Sequence, residues 1–309
     1  MSNWTPAQIP DQHGRVAVIT GANSGIGFHA ARELAARGAH VVMACRNEQK
    51  ARAAIERILA QHPEAALSLV ALDLSRQQSV RDAAAAIRQQ HARIDLLINN
   101  AGVMWLEQGL TEDGFEQQIG TNHFGHFTFT LQLLGNMTSV PDSRVVTVSS
   151  IAHRGGRIHF DNLTLAGEYG RQKAYAQSKL ANLMFAIELD RRLQAAGATT
   201  RSLACHPGVS NTNLAVPGIV EQSPLKIGKV VDWVWPLFTQ SAEKGAWPTL
   251  YTATSTDAEG GHYYGPNGWF EAMGAPAPAR ARRYAQDPDK GRRLWQLSEQ
   301  LTSEHYPAT

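Results

Sequence analysis

A chain of 309 residues with 43% hydrophobic content carries enough apolar material for one large α/β domain or two ordinary ones. Its formal net charge of +2, without a long run of Lys and Arg, excludes a nucleic-acid partner from the expectation. The opening MSNWTPAQIPDQHG has no basic start followed by an apolar run, and the two cysteines, Cys45 and Cys205, each adjoin an apolar run that reads as a buried strand. The expectation is therefore a cytoplasmic protein with buried thiols, no disulfide framework and no transmembrane segment.

After an N-terminal extension over 1–13, short apolar runs alternate with longer segments of helical period, the pattern of βα units feeding a parallel sheet. Strands are expected at VAVIT from Val16, HVVMAC from His40, LSLVAL from Leu67, DLLIN from Asp95, RVVTVS from Arg144 and TRSLAC from Thr200. Ile26, Ala30, Leu34 and Ala35 share one helical stripe, as do Leu180, Leu183, Met184 and Ile187, where the stripe stops at Asp190 and Arg191. The fold class is α/β: a Rossmann-type doubly wound parallel sheet in a single domain spanning 1–309. Residues 211–240 change character, mixing Pro217, Pro224 and Pro236 with Trp233, Trp235 and Phe238. They read as an excursion over the site, a substrate lid, a membrane-touching patch, an oligomer contact or plain packing, and 266–309 reads as a C-terminal extension.

Directly after the first strand comes TGANSGIG, in which Gly21, Asn23, Ser24, Gly25, Ile26 and Gly27 lead into a helix. Glycines let backbone approach a pyrophosphate without an intervening Cβ, and the helix N-terminus offers free N–H groups and a positive dipole end. The second strand ends in Cys45-Arg46-Asn47 with no acidic residue at the turn. An acid there would favour a free ribose 2′-hydroxyl, whereas a guanidinium can grip a 2′-phosphate, so NADP(H) is expected over NAD(H). The competing reading makes Arg46 a solvated residue starting a helix that also carries Lys50 and Arg52.

Taken in order, G-x-x-x-G-x-G, LDLS with Asp73 and Leu74, NNAG with Asn99, Asn100, Ala101 and Gly102, TNHFGH with Asn122, the Ser149-Ser150 pair, Y-x-x-x-K at Tyr175 and Lys179, and Pro207-Gly208-Val209 resemble the short-chain dehydrogenase/reductase family over about residues 14–215. The ACRN, SSIAHRGGRIHF and HPGV passages look most like its retinol-dehydrogenase-like and carbonyl-reducing members. The resemblance implies hydride transfer between a nicotinamide and a small-molecule carbonyl or alcohol, and a homodimer or homotetramer, or a monomer as in members with an insertion before the catalytic Tyr. It assigns proton transfer to Tyr175, a hydrogen bond to the substrate oxygen to Ser150, ribose binding to Lys179 and support of a water-linked proton path to Asn122, with Asp73 near adenine. The Gly21–Gly27 turn, Arg46, Leu74, Asn100, Ala101, Gly102, Pro207, Gly208 and Val209 complete the implied cofactor site.

Tyr175 and Lys179 lie one helical turn apart and share a face. A phenol titrates near 10, and an adjacent ammonium together with the positive nicotinamide ring of the oxidised cofactor is expected to bring it toward the working range. Of the adjacent serines, Ser150 is preferred because the family's catalytic Ser is normally the second of such a pair. The long spacing from Ser150 to Tyr175 reads as an inserted loop, which either shapes access to the site or lies inert on the surface. Tyr169 and Tyr251 read as packing or surface residues, and His206 either lines the cofactor pocket or, the preferred reading, makes a structural hydrogen bond. The twelve His form no metal-ligand pattern. A lipophilic carbonyl compound or alcohol is the expected substrate. The alternative is a non-catalytic regulator that senses NADP(H), which would have no need of both Tyr175 and Lys179.

Overall fold

In the computed structural model, which describes residues 3–209 and 240–306, the apolar runs form β1 (Val16–Thr20), β2 (His40–Cys45), β3 (Leu67–Ala71), β4 (Leu96–Asn99), β5 (Arg144–Val148) and β6 (Arg201–Cys205). Two further strands, β7 (Tyr263–Pro266) and β8 (Pro276–Pro278), extend them to one eight-stranded sheet of order β3-β2-β1-β4-β5-β6-β7-β8. Every pairing is parallel except the last, β7 with β8. The order reverses between β1 and β4, and in such sheets ligands bind beyond the carboxyl ends of the strands at that reversal.

Burial on both faces explains why these strands read as unbroken apolar runs. Ala17 and Ile19 of β1 enter one apolar cluster with Phe28 and Leu34, whereas Val18 enters the opposite one with Phe127 and Leu131. Phe28 and Leu34 belong to α1 (Gly25–Ala35), and α2 (Glu48–Leu59) begins where the Asn47 side chain accepts the Lys50 N–H at 2.8 Å. Across the sheet lie α3 (Gln77–Gln90) and a composite helix: α4 (Gln117–Ile119), a π-helical turn over Gly120–Phe124, then α5 (Gly125–Leu134).

The helix α6 (Arg171–Ala195) departs from the expected stripe. It is buried almost all round from Ala174 to Asp190, including Asn182, Glu188 and Asp190. Asp190 is tolerated inside because it accepts the Ser202 N–H at 2.9 Å and the Gln194 amide at 2.6 Å, while Glu188 pairs with Arg192 at 3.0 Å. A stripe drawn through apolar residues alone therefore ended too early.

After the segment 210–239 the chain continues through α7 (Ala242–Gly245) and α8 (Trp247–Thr254), then β7 and β8, α9 (Arg283–Gln286) and α10 (Pro288–Thr302). Trp295 of α10 is 2% exposed, stacked on Phe185 and edge-on to Phe127, so this part of the chain joins the central core. Near the other terminus, Trp4 lies edge-on to the buried Tyr251. The expected lid over 211–240, with Trp233, Trp235 and Phe238, falls outside the described residues apart from Gln240, whose amide donates to the Pro207 carbonyl at 2.6 Å. Among the described residues no helix is long and apolar enough to cross a membrane.

Candidate active site

Beyond the carboxyl ends of β1, β4, β5 and β6 runs a cleft of about 1060 Å³. Among the described residues, its lining brings together every residue that the family resemblance assigns to cofactor or substrate except Asn122, which lies directly behind the wall. One end is made of backbone. Gly21 adopts φ +67°, and a Cβ at Gly27 would fall 2.5 Å from both the Gly21 carbonyl oxygen and Asn100 Nδ2. Asn100 cannot yield, because Nδ2 donates to the Thr20 carbonyl at 2.8 Å. The Ser24 side chain makes no capping bond to α1, which leaves the first-turn N–H groups facing the cleft. This cradle, in which a side chain at Gly21 or Gly27 would clash, fits a dinucleotide pyrophosphate.

Next to it, Arg46 and Lys50 line the cleft, and neither is engaged in an ion pair among the described residues. Asp73 also lines it, with one carboxylate oxygen taking the Ser75 N–H at 3.0 Å and the Ser75 hydroxyl at 2.6 Å. Leu72, Leu74 and Ala44 supply apolar surface alongside.

The other end is made of side chains. At the end of β5 the two serines diverge, as alternation along an extended strand requires. The Ser149 hydroxyl donates to the Lys179 carbonyl at 2.7 Å, whereas Ser150 turns to the cleft, where its Oγ accepts the Ala152 N–H at 3.2 Å close to the Tyr175 phenol. Tyr175 is half-buried on α6, one turn before the buried Lys179, whose ammonium sits 5.8 Å from the phenol ring centroid and donates to the Val148 carbonyl at 3.2 Å. Asn122 occupies the π turn, where its side chain accepts the Val103 N–H at 2.8 Å and donates to the Val103 carbonyl and the Ser178 hydroxyl, both at 2.9 Å. It thereby fixes the floor on which Gly102 passes Lys179. Single π turns of this kind recur at functional sites because they re-aim one residue within a helix.

Burial shapes the protonation states here. It pushes the Tyr175 phenol up to about 12, against the opposing hydrogen bond from Ser150, and brings the Lys179 ammonium down to about 8. Desolvation thus governs Tyr175, and the lowering expected from the Lys179 ammonium is not among the influences on it. At neutral pH the phenol is protonated and the ammonium still charged, which leaves a proton donor beside a cation.

Several site-building residues escaped sequence reasoning. Thr20 Oγ1 accepts the N–H groups of Asn100 and Ala101 at 2.9 Å each, and lies 2.9 Å from His126 Nε2. The other His126 ring nitrogen meets the Asn122 carbonyl at 2.9 Å, so the ring ties the glycine turn to the π turn. Burial lowers His126 to about 4, and it stays neutral in this role. The spacing of Asn122 and His126 on one helix was the available signal. Val103, Met104, Trp105 and Ile151 add apolar wall. The long loop after Ser150 rests on α6, where Gln177 accepts the His159 N–H at 2.9 Å and donates to the Leu163 carbonyl at 3.0 Å. Tyr169 has a definite partner, donating to the Leu106 carbonyl at 2.8 Å.

Fold and cleft together define a nucleotide-binding α/β enzyme with a polar reaction end. A short chain dehydrogenase profile matches residues 15–218. Human retinol dehydrogenase 13 is 39% identical over 98% of this chain and 88% of its own length, and human retinol dehydrogenase 12 is 40% identical over 82% and 77% respectively. A crystal structure of a Mycobacterium paratuberculosis protein superposes with a TM-score of 0.81 at 42% identity, covering 99% of this chain and all of that one. The chain belongs to the short-chain dehydrogenase/reductase family and lies near its retinol-dehydrogenase-like members. It is accordingly an oxidoreductase of a family that uses nicotinamide cofactors on small-molecule substrates.

Proposed function

We propose that this protein interconverts a lipophilic ketone or aldehyde and the corresponding alcohol with NADP(H), in a reducing, cytoplasmic setting. The reading is carried by one observation: Ser150, Tyr175 and Lys179 converge at one end of a continuous cleft whose other end is a glycine cradle beside Arg46, which has no ion-pair partner among the described residues. The nicotinamide cofactor, when bound, supplies or accepts the hydride. The Gly21–Gly27 turn and the α1 N-terminus would hold its pyrophosphate, Asp73 and Leu74 its adenosine side, and Arg46 with Lys50 its 2′-phosphate. Asn100, Ala101, Gly102 and Pro207 through Val209 would flank the remainder.

The chain's own chemistry is proton transfer. The Tyr175 phenol gives a proton to the substrate oxygen during reduction and takes one back during oxidation. The Ser150 hydroxyl orients that oxygen and stabilises its developing charge. Lys179 holds a positive charge one turn away, which favours phenolate at the moment the proton leaves. Asn122 keeps the Val103 backbone and the α6 Ser178 hydroxyl in register, so the tyrosine and lysine share a fixed floor. Val103, Met104, Trp105 and Ile151 make the walls apolar, which suits a lipophilic substrate, and the names of the retinol dehydrogenase relatives point the same way.

The decisive assay follows oxidation of NADPH and of NADH against a panel of aldehydes, ketones and quinones, retinal among them. Turnover that prefers NADPH supports the reading; tight NADPH binding without turnover of any carbonyl overturns it in favour of a sensor.

A further inference from the structure

β6 leaves the sheet as His206, Pro207, Gly208 and Val209, the last three in the cleft wall. β5 leaves beside it, with the Ser149 N–H donating to the Cys205 carbonyl at 2.8 Å, so the Ser150 turn and the Pro207–Val209 turn emerge side by side. Between and behind them sits a polar cluster outside the proton-transfer machinery. His206 is fully buried. Its Nδ1 accepts the Gly208 N–H at 3.2 Å, which leaves the ring proton on Nε2, 3.2 Å from Glu271 Oε2. The same carboxylate oxygen accepts the Arg154 guanidinium at 2.6 Å, and the other accepts the Arg280 N–H at 3.2 Å. Arg154 lies in the 3-10 turn Ile151–Gly155, which Ser150 caps.

Three features show that the structure is built around this contact. Gly265 must be glycine, since a Cβ there would fall 1.9 Å from His206 Nε2. The Val209 N–H donates to the Ala272 carbonyl at 2.8 Å, so the residue after Glu271 also holds the cleft wall. Phe270 and Glu271 both take left-handed backbone, at φ 50° and 59°, a conformation strained for non-glycine residues. That turn aims the carboxylate inward while Trp269 and Phe270 remain exposed. Burial lowers His206, only partly offset by Glu271, so the ring stays neutral with one tautomer. Against its own burial, Glu271 is held below the usual carboxylate range by His206, the Arg280 N–H and Arg154, and stays charged.

We propose that Glu271 and His206 are positioning residues: one carboxylate oxygen, shared by Arg154 and His206, sets the separation between the turn presenting Ser150 and the turn Pro207–Val209, and so the alignment of substrate oxygen and nicotinamide. The proposal rests on the oxidoreductase reading above. Removing the clamp leaves the glycine cradle intact and loosens only the reaction end, and small misplacements there cost rate steeply.

The test compares Glu271→Ala and Glu271→Gln with wild type in kcat, substrate KM, NADPH dissociation constant, emission of bound NADPH and melting temperature of the cofactor-free protein. Glu271→Ala is expected to lose about 10- to 100-fold in kcat, with KM and NADPH affinity near wild type and a shifted nicotinamide emission. Glu271→Gln keeps an oxygen that His206 and Arg154 can share and is expected to recover most of the rate. Wild-type kcat and emission in Glu271→Ala overturn the proposal. A rate loss that follows the melting temperature and is not relieved in Glu271→Gln also overturns it, leaving a fold-holding role. If wild type turns over no carbonyl, the underlying reading fails and the proposal with it, whereas an active wild type with an unaffected Glu271→Ala sinks the clamp alone.

Discussion

The two ends of the cleft are made of different material. The cradle end comes from consecutive elements, β1, α1 and β2, and its shape is set by backbone: two glycines whose Cβ positions are already occupied and a helix whose first N–H groups are uncapped. The proposed reaction end gathers side chains from β5, α6 and the π turn, backed by contacts from β6 and the β7–β8 connection, and is set by burial and hydrogen bonds. A backbone site recognises a shape and tolerates no added atoms. A side-chain site tunes protonation, and burial is the largest influence on both Tyr175 and Lys179.

If the ends are that separate, substitutions should divide cleanly between binding and chemistry. The largest effect is expected for Tyr175→Phe, which keeps the ring and removes the proton donor. Its kcat should fall by about 10²- to 10⁴-fold while the NADPH dissociation constant, read by fluorescence titration, stays near wild type. Comparable losses in both quantities would break the division. The reverse is expected for Arg46→Asp: KM for NADPH rising by about 10- to 100-fold, the worth of one to two charged hydrogen bonds, with NADH turnover largely preserved. Equal changes for the two cofactors would make Arg46 an ordinary surface residue.

The same contrast explains what could be read from the sequence. Glycine turns, the six parallel strands and Y-x-x-x-K depend on local spacing, and β1 to β6 lie within a residue of where the apolar runs put them. Elements that exist only through tertiary contact left little trace. β7 and β8, YYGP and PAP, look like turns because Gly and Pro weaken strands, yet β7 pairs with β6 through Ala204 and Cys205. The Asp190 that ended the α6 stripe is buried because the Ser202 backbone, far along the chain, supplies its hydrogen bond. Glu271 is the extreme case, an acidic residue among exposed aromatics whose partners, Arg154 and His206, lie on two other segments. Nothing in the spacing of those three residues announces a cluster.

Lys179 sharpens the comparison most finely, because its burial should set activity and stability against each other over one pH range. Its ammonium is brought from 10.5 in the open chain to about 8 in the fold, so between those values the unfolded chain holds a proton that the folded one has released. Stability therefore carries the full cost below pH 8, about 3 kcal/mol, and recovers it as pH rises from 8 toward 10.5. Over the same range kcat/KM, which reports the free enzyme, should decline because the cation beside Tyr175 is lost. Lys179→Met has no proton to release. Its melting temperature is expected to exceed that of wild type at pH 7, and the gap to narrow steadily between pH 8 and 10, while its turnover stays far below wild type throughout. Melting curves of the two proteins at matched ionic strength make the comparison, and subtracting one from the other removes the titration of every other group common to both. A gap that keeps the same size across pH 7 to 10 would mean that Lys179 keeps its ordinary affinity for protons in the fold, and that its nearness to Tyr175, rather than its burial, governs the reaction end.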